Sequence, residues 1–163
     1  MADIAGLSTL GVKLYYALES TAGTRPTTGY KQLTRINSIG EVNPDRETID
    51  ASALEDDHTR EIPGRTGSPG NLPVVVTRTN ATITEWTTLM TEYAARADVD
   101  ARMWFQIVNP DMTDADFVKA APPTKIPVPA RDQNGLETVT MNLTVDDWEL
   151  ATKAVPADSS SGL

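Results

Sequence analysis

Glu55-Asp56-Asp57-His58 sets three carboxylates beside the one histidine of the chain. Oxygen and imidazole ligands of this kind suit a hard or borderline cation. Adjacent residues in a turn rarely converge on one ion, however, and no second ligand group stands elsewhere at metalloprotein spacing. A catalytic histidine would need a nucleophile and an orienting acid held in a pocket. The chain contains no G-x-S-x-G, phosphate-binding loop or dinucleotide fingerprint. With no cysteine, disulfides, thiolate catalysis and cysteine-based zinc sites are excluded. The carboxylate pairs Asp98/Asp100, Asp114/Asp116 and Asp146/Asp147 are of a kind common on solvated surfaces. A glycosidase-type pair is assembled across the fold, so local spacing neither builds nor removes one. Trp86, Trp104 and Trp148 could stack on a sugar or a base; the first two sit in apolar patterns that favour core packing, and Trp148 stays open. These readings assign no catalytic, cofactor-binding or metal-ligating residue, so no enzyme activity and no cofactor are expected.

The whole chain narrows the classes further. At 163 residues it suits one domain, expected over 1–155, with a disordered polar tail over 156–163. Its 23 acidic and 14 basic residues give a net charge of −9. A nucleic-acid binder usually gathers Lys and Arg to neutralise phosphates, and no such cluster is legible. The first 20 residues lack a basic segment and carry Asp3, unlike a signal peptide. The apolar run at Val74–Val76 falls far short of a membrane span. The expectation is a soluble chain with no membrane partner.

The elements read mostly as strands. Over 12–19, Val12, Leu14, Tyr16 and Leu18 alternate with Lys13, Tyr15, Ala17 and Glu19. Residues 20–29 form a polar loop, 31–36 a short strand, and 39–44 a kink leading out of it. A strand is expected at 47–51, a turn at 54–57, a glycine- and proline-rich loop at 64–73 and a β-branched strand at 72–79. Ile83, Trp86, Leu89, Met90, Tyr93, Ala94 and Ala97 recur at helical spacing, predicting one amphipathic helix over 82–97 with Thr82 as N-cap and Glu85 completing a capping box. A strand at 102–108 is apolar on both faces. Residues 114–121 fit a short helix or a strand. Four prolines between 122 and 129 forbid a regular interior element, with an edge strand still open around Val128. Asn134-Gly135 fits a tight hairpin turn, and 136–145 alternates cleanly.

The segment 44–72 is long for a connector, and loops of that length are usually functional or disordered. Seven acids and three arginines lie between Asp45 and Arg65, interleaved with Ile49, Leu54 and Ile62. Mixed charges with spaced apolar anchors suit a protein interface, in which charge pairs set register and arginine can grip a carboxylate bidentately.

The stretch ETIDASALEDDHTREIPGRTGSPG, residues 47–70, resembles a segment of the major tail tube proteins of long-tailed, non-contractile bacteriophages. The matching positions are Gly40, Thr48-Ile49-Asp50, Ser52, Leu54-Glu55-Asp56, Arg60-Glu61 and Ile62-Pro63-Gly64. The order of strand, helix with an early tryptophan, strand, late Val-Pro segment and alternating strand extends the likeness over about 10–150. His58 is not a motif position.

The resemblance implies a mainly β (α+β) fold: a sandwich or barrel of two packed antiparallel sheets, one flanking helix at about 82–97, and a protruding loop or hairpin at about 44–72. It implies a structural virion protein, located in the phage tail and assembled in the host bacterial cytoplasm. Its subunits would form hexameric rings that stack into the tube through which DNA is delivered. The implied partners are further copies of the chain, the tape measure protein and the tail terminator and tip proteins, with DNA as a passenger in an acidic lumen. On this resemblance Asp50, Leu54, Glu55, Asp56, Arg60, Glu61, Ile62 and Arg65 would contact a neighbouring subunit or ring. The competing expectation is a monomeric β-sandwich binding or decoration module of a virion, using Trp148 and the proline-rich segment.

Overall fold

The computed structural model describes Gly6, residues 8–96 and residues 100–155. Its elements are β1 (Lys13–Leu18), β2 (Lys31–Leu33), β3 (Ile36–Ile39), β4 (Arg46–Asp50), β5 (Glu61–Thr66), β6 (Asn71–Thr77), α1 (Asn80–Ala95), β7 (Met103–Val108), β8 (Asp114–Ala121) and β9 (Thr138–Lys153). Seven strands form one antiparallel sheet in the order β2-β1-β7-β8-β9-β6-β3, and β4-β5 form a second sheet of two. Among the described residues the architecture is mainly β with one helix, as the sequence led us to expect.

β9 turns the long sheet into a sandwich. Its first half, Thr138 to Thr144, pairs with β6. Its second half, from Thr144 to Lys153, pairs with β8. The pairing skips Asp146 between Ala120↔Val145 and Lys119↔Asp147, so an extra residue bulges and the strand bends there. The inward face changes parity across it: Val139, Met141, Leu143 and Val145 are buried, and beyond the bulge Trp148 packs on the same core. Strands that pass between two layers do so through bends of this kind. At the other side the layers meet again, because the edge strands β2 and β3 are separated only by Thr34 and Arg35. The strand expected at 31–36 is therefore broken in two. Arg35 takes a left-handed φ of 58°, and the Thr34 N–H and hydroxyl donate to the carboxylate of Glu85 on α1.

The main core lies between the layers. Leu14, Leu33, Val74, Phe105, Val118 and Leu143 come from six strands, and Trp86 and Leu89 of α1 close it. Each such side chain contributes about 1.5–3 kcal/mol by leaving water. The outer face of β1-β7-β8 is also covered. Tyr30, Trp104 and Phe117 cluster there with Ala17 and Ala115. The Gln106 amide binds the Val155 backbone from both sides, at 3.0 and 2.7 Å.

Several expectations shift. α1 starts at Asn80, with Thr79 as N-cap and Thr82 at the third helical position. Two hydroxyls satisfy the cap here: Thr82 N–H donates to Thr79 Oγ1, and Thr79 N–H donates to Thr82 Oγ1. Glu85, expected to complete the cap, is engaged by Thr34 instead. Ala97, the expected helix end, lies outside the described residues, as does the tail 156–163. Residues 114–121 are a strand. Gly64, Arg65 and Thr66, expected in a loop, belong to β5. Asn134 does adopt a positive φ of 65°, but its turn sits inside the long β8–β9 connection rather than between paired strand ends. Thr79→Ala should lower the unfolding free energy by about 1 kcal/mol in a denaturant titration; a helix beginning at Thr82 would leave it unchanged.

Candidate interaction surface

The expected contact residues all fall on one feature, the β4-β5 hairpin. It leaves the sandwich after Gly40 and returns at Asn71. Gly40 donates its N–H to Pro73 O at 2.7 Å, and a Cβ there would lie 2.4 Å from Pro73 Cγ, so glycine permits the close approach at the root. A second close approach lies further out, where a Cβ on Gly67 would sit 2.6 Å from Asp45 O, the acceptor of the Gly67 N–H.

Along the hairpin, Ile49 faces Ile62 and Asp50 faces Glu61. Ile49 is 53% exposed, Ile62 49%, and Leu54 at the tip is fully exposed. Every residue of β4 is exposed, as is every residue of β5 except Gly64. The described hydrogen bonds and ion pairs of residues 46–66 run within the hairpin. Arg60 pairs with Asp56 at 3.3 Å and Arg65 with Glu47 at 3.7 Å. The tip is ordered by short-range bonds: Ser52 N–H to Asp50 Oδ1 at 2.9 Å, Ala53 N–H to Asp56 Oδ2 at 2.7 Å, and Arg60 N–H to Ser52 Oγ at 2.8 Å. The hydroxyl and then the backbone N–H of Ser52 hold the Asp50 carboxyl below its ordinary range.

This geometry is a poor way for a hairpin to stabilise itself. An isolated two-stranded ribbon is marginal in water. Its like-charged pair Asp50–Glu61 is unfavourable directly across strands, and exposed ion pairs such as Arg65–Glu47 contribute little. What the arrangement does provide is three apolar side chains, Ile49, Leu54 and Ile62, rimmed by charges of both signs. Such a pattern is suited to contact with another protein surface. Ile49 shares the hairpin's apolar pair although it is not among the expected contact residues.

Elsewhere, a groove of about 600 Å³ is lined by Val12, Ile36, Ile39, Ile107, Met112 and Asp114, among others. Trp148, the aromatic left open by sequence, is partly buried against the main core. No group of three or more His, Cys, Asp and Glu among the described residues could hold a metal ion. No helix among them is long and apolar enough to cross a membrane.

No protein-family profile matches the chain, and no curated protein matches it. Among solved structures it is similar to a chain of the anti-feeding prophage baseplate, determined by cryo-electron microscopy with six-fold symmetry. That likeness has 13% identity and a TM-score of 0.47, and covers 91% of this chain and 96% of the other.

Asp50 should titrate below the usual carboxylate range in a carbon-detected NMR titration. Its depressed folded-state value means that the tip turn keeps its bond to Ser52 above that range and loses it as pH falls through the folded pKa. Ser52→Ala should move the midpoint back up toward the ordinary value.

Proposed function

We propose that this chain is a structural subunit of a phage tail and that the β4-β5 arm joins it to further copies of itself. One observation carries the reading: a hairpin with exposed Ile49, Leu54 and Ile62 that buries almost nothing of its own. The resemblance of residues 47–70 to tail tube proteins supports the same role and its finer form. In that form, copies close into hexameric rings and the rings stack into a tube carrying DNA. The tape measure protein would lie inside, and terminator and tip proteins at the ends. Ring closure needs one heterologous contact and stacking needs another. Asp50, Leu54, Glu55, Asp56, Arg60, Glu61, Ile62 and Arg65 supply contacts from the arm. The net charge of −9 fits a conduit, because an acidic lining keeps phosphates off the wall.

Purified protein should form rings or tubes visible by negative-stain microscopy. Arg60→Glu and Glu61→Arg should each block that assembly. Both should leave the monomer folded, with stability within about 0.5 kcal/mol, because they touch no core contact. Normal tubes from both variants would refute the arm's role, and a persistent monomer from the unaltered chain would refute the subunit reading itself.

A further inference from the structure

The groove of about 600 Å³ is walled on one side by five consecutive residues, Ile36 to Gly40. Side chains alternate between the two faces of a strand, so an unbroken run of this kind means that the edge of β3, backbone included, forms the wall. Among the described residues that edge is unpaired, because β3 ends the seven-stranded order and bonds β6 alone. Gly40 donates its N–H to Pro73 O of β6, and successive residues of an antiparallel strand turn their backbone groups to opposite sides. The N–H and C=O of Ile39 therefore face away from β6, toward the groove. Open edges are usually guarded by a bulge, a charged side chain or a proline. β3 has a bulge between Ile36 and Ser38, but the sequence Ile36-Asn37-Ser38-Ile39 carries no charge and no proline.

The rest of the groove offers side chains. Ile107 of β7 and Met112 join Ile36 and Ile39 in an apolar lining. Asp114 and Asp116 of β8 are the charged members of that lining, and no Lys, Arg or His belongs to it. Lys153 stands opposite Asp114 in the β8–β9 ladder, so the three together keep a net negative charge. Both aspartates are half-buried, where a cation is less screened than on an open surface. The groove thus combines an unpaired strand edge, an apolar floor and acidic groups on one side.

We propose that the free edge of β3 receives an extended segment of another protein, about five residues long, as one more strand. Five residues at the strand rise cover roughly 17 Å, the length of the wall. Backbone bonds to the edge supply affinity, and the side chains on the inward face of the segment supply specificity. That face carries apolar residues for Ile39, Ile107 and Met112, with a lysine or arginine two positions along for Asp114 and Asp116. The ends of this chain offer no such segment: residues 1–5 and 156–163 contain Asp3 and Asp158 and no Lys or Arg. The site is separate from the contact proposed for the arm and does not rest on it.

The test titrates the full, isotopically labelled chain with two end-blocked hexapeptides, Thr-Val-Thr-Lys-Thr-Val and Thr-Val-Thr-Glu-Thr-Val, followed by amide NMR. The lysine peptide should shift the Ile39 amide and slow its hydrogen exchange. It should bind about tenfold or more tightly than the glutamate peptide, and more weakly as salt is raised. Asp114→Asn should narrow the gap between the two peptides. Ile39→Pro removes the edge donor without removing a bond to β6 and should abolish the response at the neighbouring β3 amides. Ile39→Val keeps a donor and an apolar side chain and should retain it. Circular dichroism melts establish that each variant is folded. No response at Ile39, equal affinity for the two peptides, or unchanged binding by the Ile39→Pro form would overturn the proposal. So would an Ile39 amide that becomes protected as the unaltered chain alone is concentrated, since the occupant would then be a second copy.

Discussion

The bend of β9 at Asp146 is the constraint on which the remaining geometry rests. One strand serves two layers: its first half holds β6 and β3, its second holds β8, β7, β1 and β2. Without the bulged residue the buried alternation of Val139 to Val145 would continue unchanged, and Trp148 would point away from the core it now joins. Lys119 lies 3.2 Å from the Asp146 carboxylate, so the bulge is also a charged contact between neighbouring strands. The two-residue link at Thr34-Arg35, held by Glu85 of α1, fastens the layers on their other side. Between these two fastenings the core is filled, and the ends of β3 and β6 are fixed in space.

The hairpin arm takes its position from that frame and contributes almost nothing to it. Its apolar residues stay in water, and its strands pair only with each other. On the proposed reading, stability and contact are divided between parts of one chain. The body has buried most of the apolar side chains of its two layers and of α1, although Leu150 of β9 stays exposed. The arm has kept Ile49, Leu54 and Ile62 exposed. A surface of this kind is costly for a solitary protein and useful for one that assembles, since the same residues can leave water on contact with a partner.

Much of this was legible in the chain. The alternation over 136–145, the apolar stripe of α1 and the two-faced strand read at 102–108 all report burial directly, because side-chain period and burial are the same physical fact. The arm was legible as a long, mixed-charge insertion bearing the Thr-Ile-Asp and Ile-Pro-Gly pieces. The misses have a common cause in tertiary competition. Glu85 reads as a capping residue until Thr34 is seen to claim its carboxylate. The 31–36 run reads as one strand until Arg35 must turn it from one layer to the other. Gly64 reads as a loop residue, yet it lies in β5, where a Cβ would sit 2.9 Å from Glu47 O.

The claim on which the account turns is that the arm touches another copy of the chain. A photo-activatable cross-linking residue in place of Leu54, in an equal mixture of light and isotopically heavy protein, measures this directly by mass spectrometry. The account predicts cross-linked peptide pairs that join a light chain to a heavy one. Cross-links confined to pairs of a single isotope, showing the tip bound to its own body, would contradict it.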